Sequence, residues 1–211
     1  DVPGERSAGS DALRREWGAG PQTPVALFVG RLAAEKNLGA LAHAFQAMRA
    51  QRPDAKLVVV GDGPAAQQLA ASVPDAVFAR TRRGEELAAH YASADLFVFP
   101  SMTETFGNVT LEAMASGLAV LAYDHASAGQ MIRSGENGLI APLGDEDEFV
   151  RLARQLVADG EHARQMGQRA RLSAGEAGWG RIVAQVEEVL LATMASGAAA
   201  PACADNAAGI L

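Results

Sequence analysis

Cysteine is nearly absent from this sequence: among 211 residues it occurs once, as Cys203 close to the C-terminus. A single cysteine excludes an internal disulfide, and it also excludes a metal cluster built on several cysteines. The remaining composition, 49% hydrophobic and 20% charged residues, is that of a globular protein with one sizeable core. We therefore expect one main domain in a reducing, cytoplasmic setting.

An excess of positive charge and long apolar runs are also missing. The formal net charge is −7, which argues against a nucleic-acid partner, because binding to a phosphate backbone depends on clustered Lys and Arg. No apolar stretch approaches the roughly 20 residues that span a bilayer, and the start has no signal-peptide pattern. We expect no membrane insertion by this chain, with membrane association of a longer protein left open. The start at Asp1 rather than Met suggests an excised fragment or a processed product.

Short apolar runs alternate with helical patterns along the middle of the chain. The runs at residues 25–29, 57–60, 96–99 and 118–122 are rich in Val, Leu and Phe and end near Gly, Pro or Asp. Such runs are typical of strands buried on both faces of a parallel sheet. The predicted fold class is therefore α/β, a Rossmann-like parallel sheet flanked by helices.

Helices are predicted from apolar residues at helical spacing. One apolar face is formed by Leu38, Leu41, Phe45 and Met48. After the turn expected at Asn137-Gly138 the pattern becomes helical, with apolar stripes within residues 149–157 and 179–190.

Polar or low-complexity segments flank this pattern. Residues 1–24 are polar and contain Gly and Pro, with one helical turn indicated around residues 13–17, so a linker is expected there. Residues 25–195 form the predicted domain. The Ala- and Gly-rich residues 196–211 are expected to be a disordered tail.

The first candidate motif is Gly30-Arg31-x4-Lys36-Asn37, between a predicted strand and a predicted helix. In an open parallel sheet, ligands bind at the carboxyl ends of strands, and helix N-termini favour anions. Arg31 and Lys36 are thus placed where they could hold a diphosphate. Two solvated surface cations explain this motif alone equally well.

The second candidate, Gly61-Asp62-Gly63-Pro64, also follows a predicted strand. Its glycines permit a tight turn and close approach of the backbone to a ligand. A purely structural turn is the favoured interpretation of this motif taken alone.

The third and most specific candidate runs from Pro100 to Gly117 and contains Glu104 and Glu112. If a helix begins near Asn108, Glu104 lies in the preceding loop and Glu112 about one turn into the helix. Carboxylate oxygens accept hydrogen bonds from vicinal diols, so both glutamates suit recognition of sugar hydroxyls. Two ordinary acidic residues at a helix N-terminus are the alternative.

These motifs, with Ala94-Asp95-Leu96-Phe97-Val98-Phe99-Pro100-Ser101 and Gly135-x-Asn137-Gly138, occur in an order that resembles the C-terminal domain of family 4 (group 1) retaining glycosyltransferases. The resemblance covers residues 25–190. It implies half of a GT-B enzyme, in which two Rossmann-like domains face a cleft and this half binds a nucleoside-diphosphate sugar. The acceptor would be held by a missing N-terminal domain, and the donor would be a UDP-sugar or a GDP-sugar.

The resemblance also implies residue roles. The cations would hold the diphosphate, Glu104 would contact the donor sugar, and Glu112 the ribose hydroxyls. The predicted catalytic residues are Arg31, Lys36 and Glu104. The predicted substrate-binding residues are Gly30, Gly61, Asp62, Gly63, Phe106, Gly107, Asn108, Val109 and Glu112.

This sequence departs from the family at two places. Where the family often has Gly in the strand leading to the base site, this chain reads Phe78-Ala79-Arg80-Thr81-Arg82-Arg83-Gly84, so the base contacts stay open. Ala126, Ser127 and Gln130 stand where the family commonly has a Gly-Gly pair and a Glu.

The expected reaction is glycosyl transfer with retention at the anomeric carbon. The resemblance implies attack from the face that the diphosphate leaves, without a glutamate nucleophile and without a metal ion or other cofactor. Two alternatives stay open: half of a sugar-nucleotide epimerase, and a non-catalytic nucleotide-binding module. The Glu104-x7-Glu112 element favours transfer over epimerisation.

Overall fold

The computed structural model describes residues 8–104 and 108–176. The chain divides into a unit Asp1–Gly175 and a unit Glu176–Leu211. Of the second unit only Glu176 is described, so the predicted helix within residues 179–190 and the tail at 196–211 lie outside the described residues. The fold below is that of the first unit.

Six strands form one parallel sheet, which confirms the predicted fold class. Their order across the sheet is β3-β2-β1-β4-β5-β6. The strands are β1 Val25–Val29, β2 Lys56–Val60, β3 Val77–Arg80, β4 Leu96–Phe99, β5 Ala119–Tyr123 and β6 Leu139–Ala141. The four predicted strands are confirmed to within one residue at each end. β3 and β6, which were not among the four predicted strands, form the two edges of the sheet.

Eight α-helices and one 3-10 turn connect and cover the described strands. The helices are α1 Ala8–Glu16, α2 Leu38–Gln51, α3 Ala66–Ser72, α4 Gly84–Ser93, α5 Asn108–Ala115, α6 Ala126–Met131, α7 Glu146–Ala158 and α8 Gly160–Glu176, and the 3-10 turn is Ala34–Lys36. The apolar stripes predicted for α2 and α7 are buried in full. Helix α2 packs against α7, and α1 packs against α4. No helix in the described part of the chain is long and apolar enough to cross a membrane.

The order of the strands creates one switch point. The chain moves outward from β1 through β2 to β3, then returns to pair β4 with the other side of β1. Helices that follow β1 and β4 therefore diverge, and a crevice opens at the carboxyl ends of these two strands. This is where open α/β sheets bind ligands.

The structure differs from the expected linker at residues 8–24, the part of residues 1–24 that it describes. Helix α1 begins at Ala8, and Arg14 within it is 2% exposed. The guanidinium of Arg14 lies 3.0 Å from the Asp95 carboxylate and donates to the carbonyl oxygens of Ser93, Gly20 and Thr23. Residues 8–24 are thus packed as part of the domain. Trp17 and Ala19 are buried together with Arg14, and the pairing of Arg14 with Asp95 does not follow from a hydrophobic pattern.

Candidate functional site

An open cleft of about 550 Å³ lies at the switch point, where β1 and β4 end. It is lined by Val29, Gly30, Arg31, Glu35, Lys36, Phe99, Thr103, Glu104, Asn108 and Val109. Six of the predicted site residues are therefore brought together: Gly30, Arg31, Lys36, Glu104, Asn108 and Val109. The shape is a concave surface bounded by charged side chains, as a polar ligand requires.

The ion pair between Lys36 and Glu104 crosses the cleft. The Lys36 ammonium donates to Oε1 of Glu104, and each side chain is 16% exposed. The same ammonium lies 5.5 Å from the centre of the Phe99 ring, within the range of a cation–π contact. Asn37, with φ of 50°, turns the chain from the 3-10 turn into α2 directly after Lys36. The ammonium and the carboxylate thus meet although 68 positions separate them in sequence.

Ser101 supplies a second donor to the same carboxylate oxygen. Its side chain is buried, 4% exposed, and its hydroxyl donates to Glu104 Oε1 at 2.7 Å. Among the described residues no donor reaches Oε2 of Glu104. The carboxylate is therefore held at one oxygen, and the other oxygen keeps its capacity to accept hydrogen bonds.

Arg31 lies at the outer rim of the cleft. Its side chain is 68% exposed and forms an ion pair with Glu35, four residues later. The backbone amide of Glu35 and the Arg31 guanidinium hold the pKa of the Glu35 carboxyl below its usual value. An exposed pair of this kind is weakly held in water, so the Arg31 side chain is able to turn toward another anion.

The Gly61-Asp62-Gly63-Pro64 motif lies behind the cleft wall. Gly61 has φ of +144°, and a Cβ there would lie 1.9 Å from the carbonyl oxygen of Gly30. The backbone of Leu32 donates to Asp62 O at 2.9 Å, and that of Gly30 donates to Val60 O at 3.0 Å. The motif therefore supports the loop that carries Arg31.

Gly61, Asp62 and Gly63 are not among the described residues that line the cleft. The structure gives these three residues a supporting role through the backbone, and their predicted contact with substrate stays a prediction. Gly61 and Gly63 have no side chain, which permits close approach of another backbone as well as of a ligand.

Glu112 lies in α5, beyond the residues that line the cleft. It is exposed, and its Oε2 accepts a hydrogen bond of 3.0 Å from the Tyr91 hydroxyl. That hydroxyl also lies 3.5 Å from the carbonyl oxygen of Val109, which does line the cleft. Tyr91 thus links the carboxylate predicted to bind ribose to the wall of the cleft.

Several residues of the site were missed by sequence reasoning, or lie beyond the described structure. Phe106 and Gly107 are outside the described residues. Glu35 and Thr103 lie within motifs that the sequence singled out, but without an assigned role; the Thr103 hydroxyl donates to Glu35 O at 3.5 Å. No sequence pattern marked Tyr91 as part of the site, because a buried tyrosine in a helix is ordinary until its hydrogen-bond partner is known.

The described residues contain no cluster of metal-ligating side chains. In residues 8–104 and 108–176 no group of three or more His, Cys, Asp or Glu side chains could hold a metal ion. The expectation of a reaction without a metal ion stays a prediction.

Comparison with known proteins places this site in a family. The model of the group 1 glycosyl transferases matches residues 9–173. A GDP-mannose-dependent alpha-mannosyltransferase of Corynebacterium glutamicum is 39% identical over 164 residues, which are 78% of this chain and 38% of that protein. The enzyme of the same name from Mycobacterium tuberculosis is 40% identical over 159 residues, covering 75% of this chain and 40% of that protein.

Solved structures share the fold. Anabaena HepE in complex with UDP superimposes with a TM-score of 0.75 at 21% identity, covering 89% of this chain and 54% of that one. Sucrose-phosphate synthase of Thermosynechococcus elongatus gives a TM-score of 0.72 at 27% identity, covering 89% and 49%. The chain spans roughly two fifths of the length of the two mannosyltransferases that it matches. With the family model matched over most of its length and the Rossmann-like sheet of the GT-B enzymes, the chain belongs to the group 1 glycosyl transferases.

Proposed function

We propose that this chain is the donor-binding domain of a glycosyltransferase, which binds a nucleoside-diphosphate sugar and transfers the sugar with retention. The observation that carries the proposal is the meeting of the Lys36 ammonium and the Glu104 carboxylate in the cleft at the switch point. The ammonium suits a diphosphate, and the carboxylate suits sugar hydroxyls. The diphosphate and the sugar lie next to each other in a sugar nucleotide.

The diphosphate lies against Arg31 and Lys36 in this proposal. Both cations follow β1, and both line the cleft. Phosphate oxygens form strong charge-assisted hydrogen bonds with ammonium and guanidinium groups. Because Lys36 is paired with Glu104 and Arg31 with Glu35, the ligand exchanges existing ion pairs for contacts with its own charge. The cations therefore need not be held unpaired before the ligand arrives.

Glu104 binds the donor sugar. When the diphosphate draws Lys36 toward itself, the carboxylate becomes free to accept hydrogen bonds from sugar hydroxyls. Ser101 still donates to Oε1, so the carboxylate keeps its orientation during this exchange. Glu112 accepts hydrogen bonds from the ribose hydroxyls, as the resemblance to the family implies.

Retention follows from attack on the same face that the diphosphate leaves. The bond from the anomeric carbon to the phosphate oxygen breaks, and a bond to the acceptor oxygen forms. The acceptor proton passes to the departing phosphate oxygen, so no protein base is required. Arg31 and Lys36 stabilise the charge that develops on the diphosphate, a contribution that is often the largest in enzyme catalysis.

The donor that we favour is a GDP-sugar. Two relatives at 39% and 40% identity are named as GDP-mannose-dependent mannosyltransferases. A UDP-sugar is the other candidate, because structural neighbours were solved with UDP. The acceptor is held by an N-terminal domain that this chain lacks, which agrees with the share of its relatives that the chain spans.

A thermal-shift screen of the chain with GDP, UDP and ADP tests the proposal. A ligand at ~100 times its dissociation constant stabilises the folded chain by about 2.7 kcal/mol, so binding produces a clear upward shift. We expect GDP to give the largest shift. No shift with any of the three nucleotides would contradict the donor-binding function. A transfer assay with a longer protein that includes an acceptor domain would then distinguish transfer from isomerisation of the free sugar nucleotide.

A further inference from the structure

The hydrogen bond between Tyr91 and Glu112 joins a buried side chain to an exposed one. Tyr91 is 3% exposed in α4, and its ring lies 6.0 Å from that of Phe97 in the centre of the sheet. Its hydroxyl donates to Oε2 of Glu112 at 3.0 Å. One end of this pair is therefore fixed by packing, whereas the other faces solvent from α5.

The chemistry of the two groups determines which of them donates in this hydrogen bond. An ionised carboxylate only accepts, so the phenol must donate. Burial, together with the nearby charge of Glu112, raises the pKa of the Tyr91 hydroxyl well above its ordinary value. The donor is consequently present throughout the physiological range of pH, and it occupies Oε2, while no donor among the described residues reaches the other carboxylate oxygen.

An exposed glutamate without such a tether samples several rotamers and loses that freedom when it binds a ligand. We propose that Tyr91 is a positioning residue, which holds Glu112 in the orientation that accepts the ribose hydroxyls of the nucleotide. This inference rests on the proposed function, in which Glu112 contacts ribose. Tyr91 acts through the carboxylate and has no contact with the ligand of its own.

The chain offers a test substitution and a matched control, both of tyrosine to phenylalanine. Tyr91→Phe keeps the ring that packs against Phe97 and removes the hydroxyl; because Glu112 is exposed, its carboxylate is then solvated by water and the fold is retained. The control is Tyr123→Phe. Tyr123 is the only other tyrosine of the chain, is 1% exposed, and its hydroxyl has no hydrogen-bond partner among the described residues.

The experiment compares calorimetric affinities for GDP and UDP with those for their 2′,3′-dideoxy counterparts. Wild type should prefer the ribonucleotide of whichever base it binds. Immobilising one side chain on binding costs about 0.5–1.5 kcal/mol, so Tyr91→Phe should reduce that preference by about 2- to 13-fold. Its affinity for the dideoxynucleotide should be unchanged. Tyr123→Phe should keep the full preference, and adding Tyr91→Phe to Glu112→Ala should change nothing further.

Two results would overturn the inference while leaving donor binding intact. One is a wild-type preference for the ribonucleotide that Tyr91→Phe does not reduce. The other is an equal loss of affinity for both nucleotides in Tyr91→Phe, which would indicate a structural role. A wild type that binds neither diphosphate, or that does not distinguish ribose from dideoxyribose, would refute the ribose role of Glu112 itself. The positioning role of Tyr91 would then be refuted as well.

Discussion

Lys36 and Glu104 neutralise each other across the cleft: the ammonium donates to the carboxylate, and each side chain is 16% exposed. A pair this close to the surface is accessible to a ligand but shielded enough for its charges to interact strongly. In the free protein the two groups predicted to bind diphosphate and sugar are therefore bound to each other. Removal of either partner should have a different effect on the two parts of the donor.

Glu104→Ala should separate the sugar from the diphosphate. The variant loses the carboxylate assigned to the sugar, but it frees Lys36 from its partner. We expect the nucleoside diphosphate to bind at least as tightly as it does to wild type, while the intact sugar nucleotide loses the extra affinity that its sugar confers. Calorimetry with GDP and GDP-mannose, and with UDP and UDP-glucose, measures both. An equal loss for the diphosphate and the sugar nucleotide would contradict the assignment of Glu104 to the sugar.

Gly61→Ala should destabilise the fold because the added Cβ would lie 1.9 Å from the carbonyl oxygen of Gly30, at a backbone φ of +144°. A backbone atom cannot move aside as a flexible side chain does, so we expect a loss of about 3 kcal/mol or more in the free energy of unfolding. Gly39→Ala is the control, since Gly39 lies in α2 with no atom within 4 Å of the new Cβ. In urea unfolding the control should be no less stable than wild type. A tolerated Gly61→Ala would refute the proposed close approach of the two loops.

Arg14→Ala should show that the N-terminal segment belongs to the domain. The substitution removes the cation from Asp95, which also accepts from the backbone amide of Val25 at 2.9 Å. Breaking a buried pair from one side typically costs 3–5 kcal/mol, and we expect about 3 kcal/mol here because Asp95 is 18% exposed. Arg15→Ala, at the exposed neighbouring position, should change the free energy of unfolding by less than about 0.5 kcal/mol. Equal effects of the two substitutions would contradict the packed role of Arg14.

Ionisation of Tyr123 should lower the free energy of unfolding at alkaline pH. Burial, with Glu146 and Asp145 nearby, raises the pKa of its hydroxyl from its ordinary value of 10.0 to about 12. The unfolded phenol ionises first, so the stabilisation that Tyr123 confers is complete below pH 10 and is lost as the pH rises toward about 12. Wild type should therefore lose stability faster than Tyr123→Phe in this window, by up to about 1.4 kcal/mol per pH unit. Urea unfolding of both proteins from pH 9 to 11.5 measures the difference, and parallel curves would refute the shift.

The fold was largely predictable because its central strands are buried on both faces. β1, β2, β4 and β5 are continuous apolar runs, and their positions follow from the sequence. The edge strands lack that signal: β3 is half-exposed and β6 has only three residues. The packing of α1 was also missed: Trp17, directly after it, is buried, and the ion pair of Arg14 with Asp95 joins residues 81 positions apart.

The candidate site was predictable only in part. Each motif could be placed at the carboxyl end of a strand, and the parallel order of the sheet then brings the loops after β1 and β4 together. Which side chains pair within the crevice does not follow from spacing. The contacts Lys36–Glu104 and Tyr91–Glu112 depend on rotamers and on loop geometry that only the structure provides.

Calorimetry with GDP, guanosine, UDP and uridine tests whether the cleft binds a diphosphate through Arg31 and Lys36. We expect the preferred diphosphate to bind about 100-fold more tightly than its nucleoside, because each charge-assisted contact contributes about 1.5–3 kcal/mol, and this ratio should decrease with rising salt. Arg31→Ala and Lys36→Ala should each remove much of that ratio. Lys56→Ala should retain it, since Lys56, the only other lysine, begins β2 at the opposite end of the strands. Equal affinity of wild type for nucleoside and diphosphate would refute diphosphate binding by these two cations.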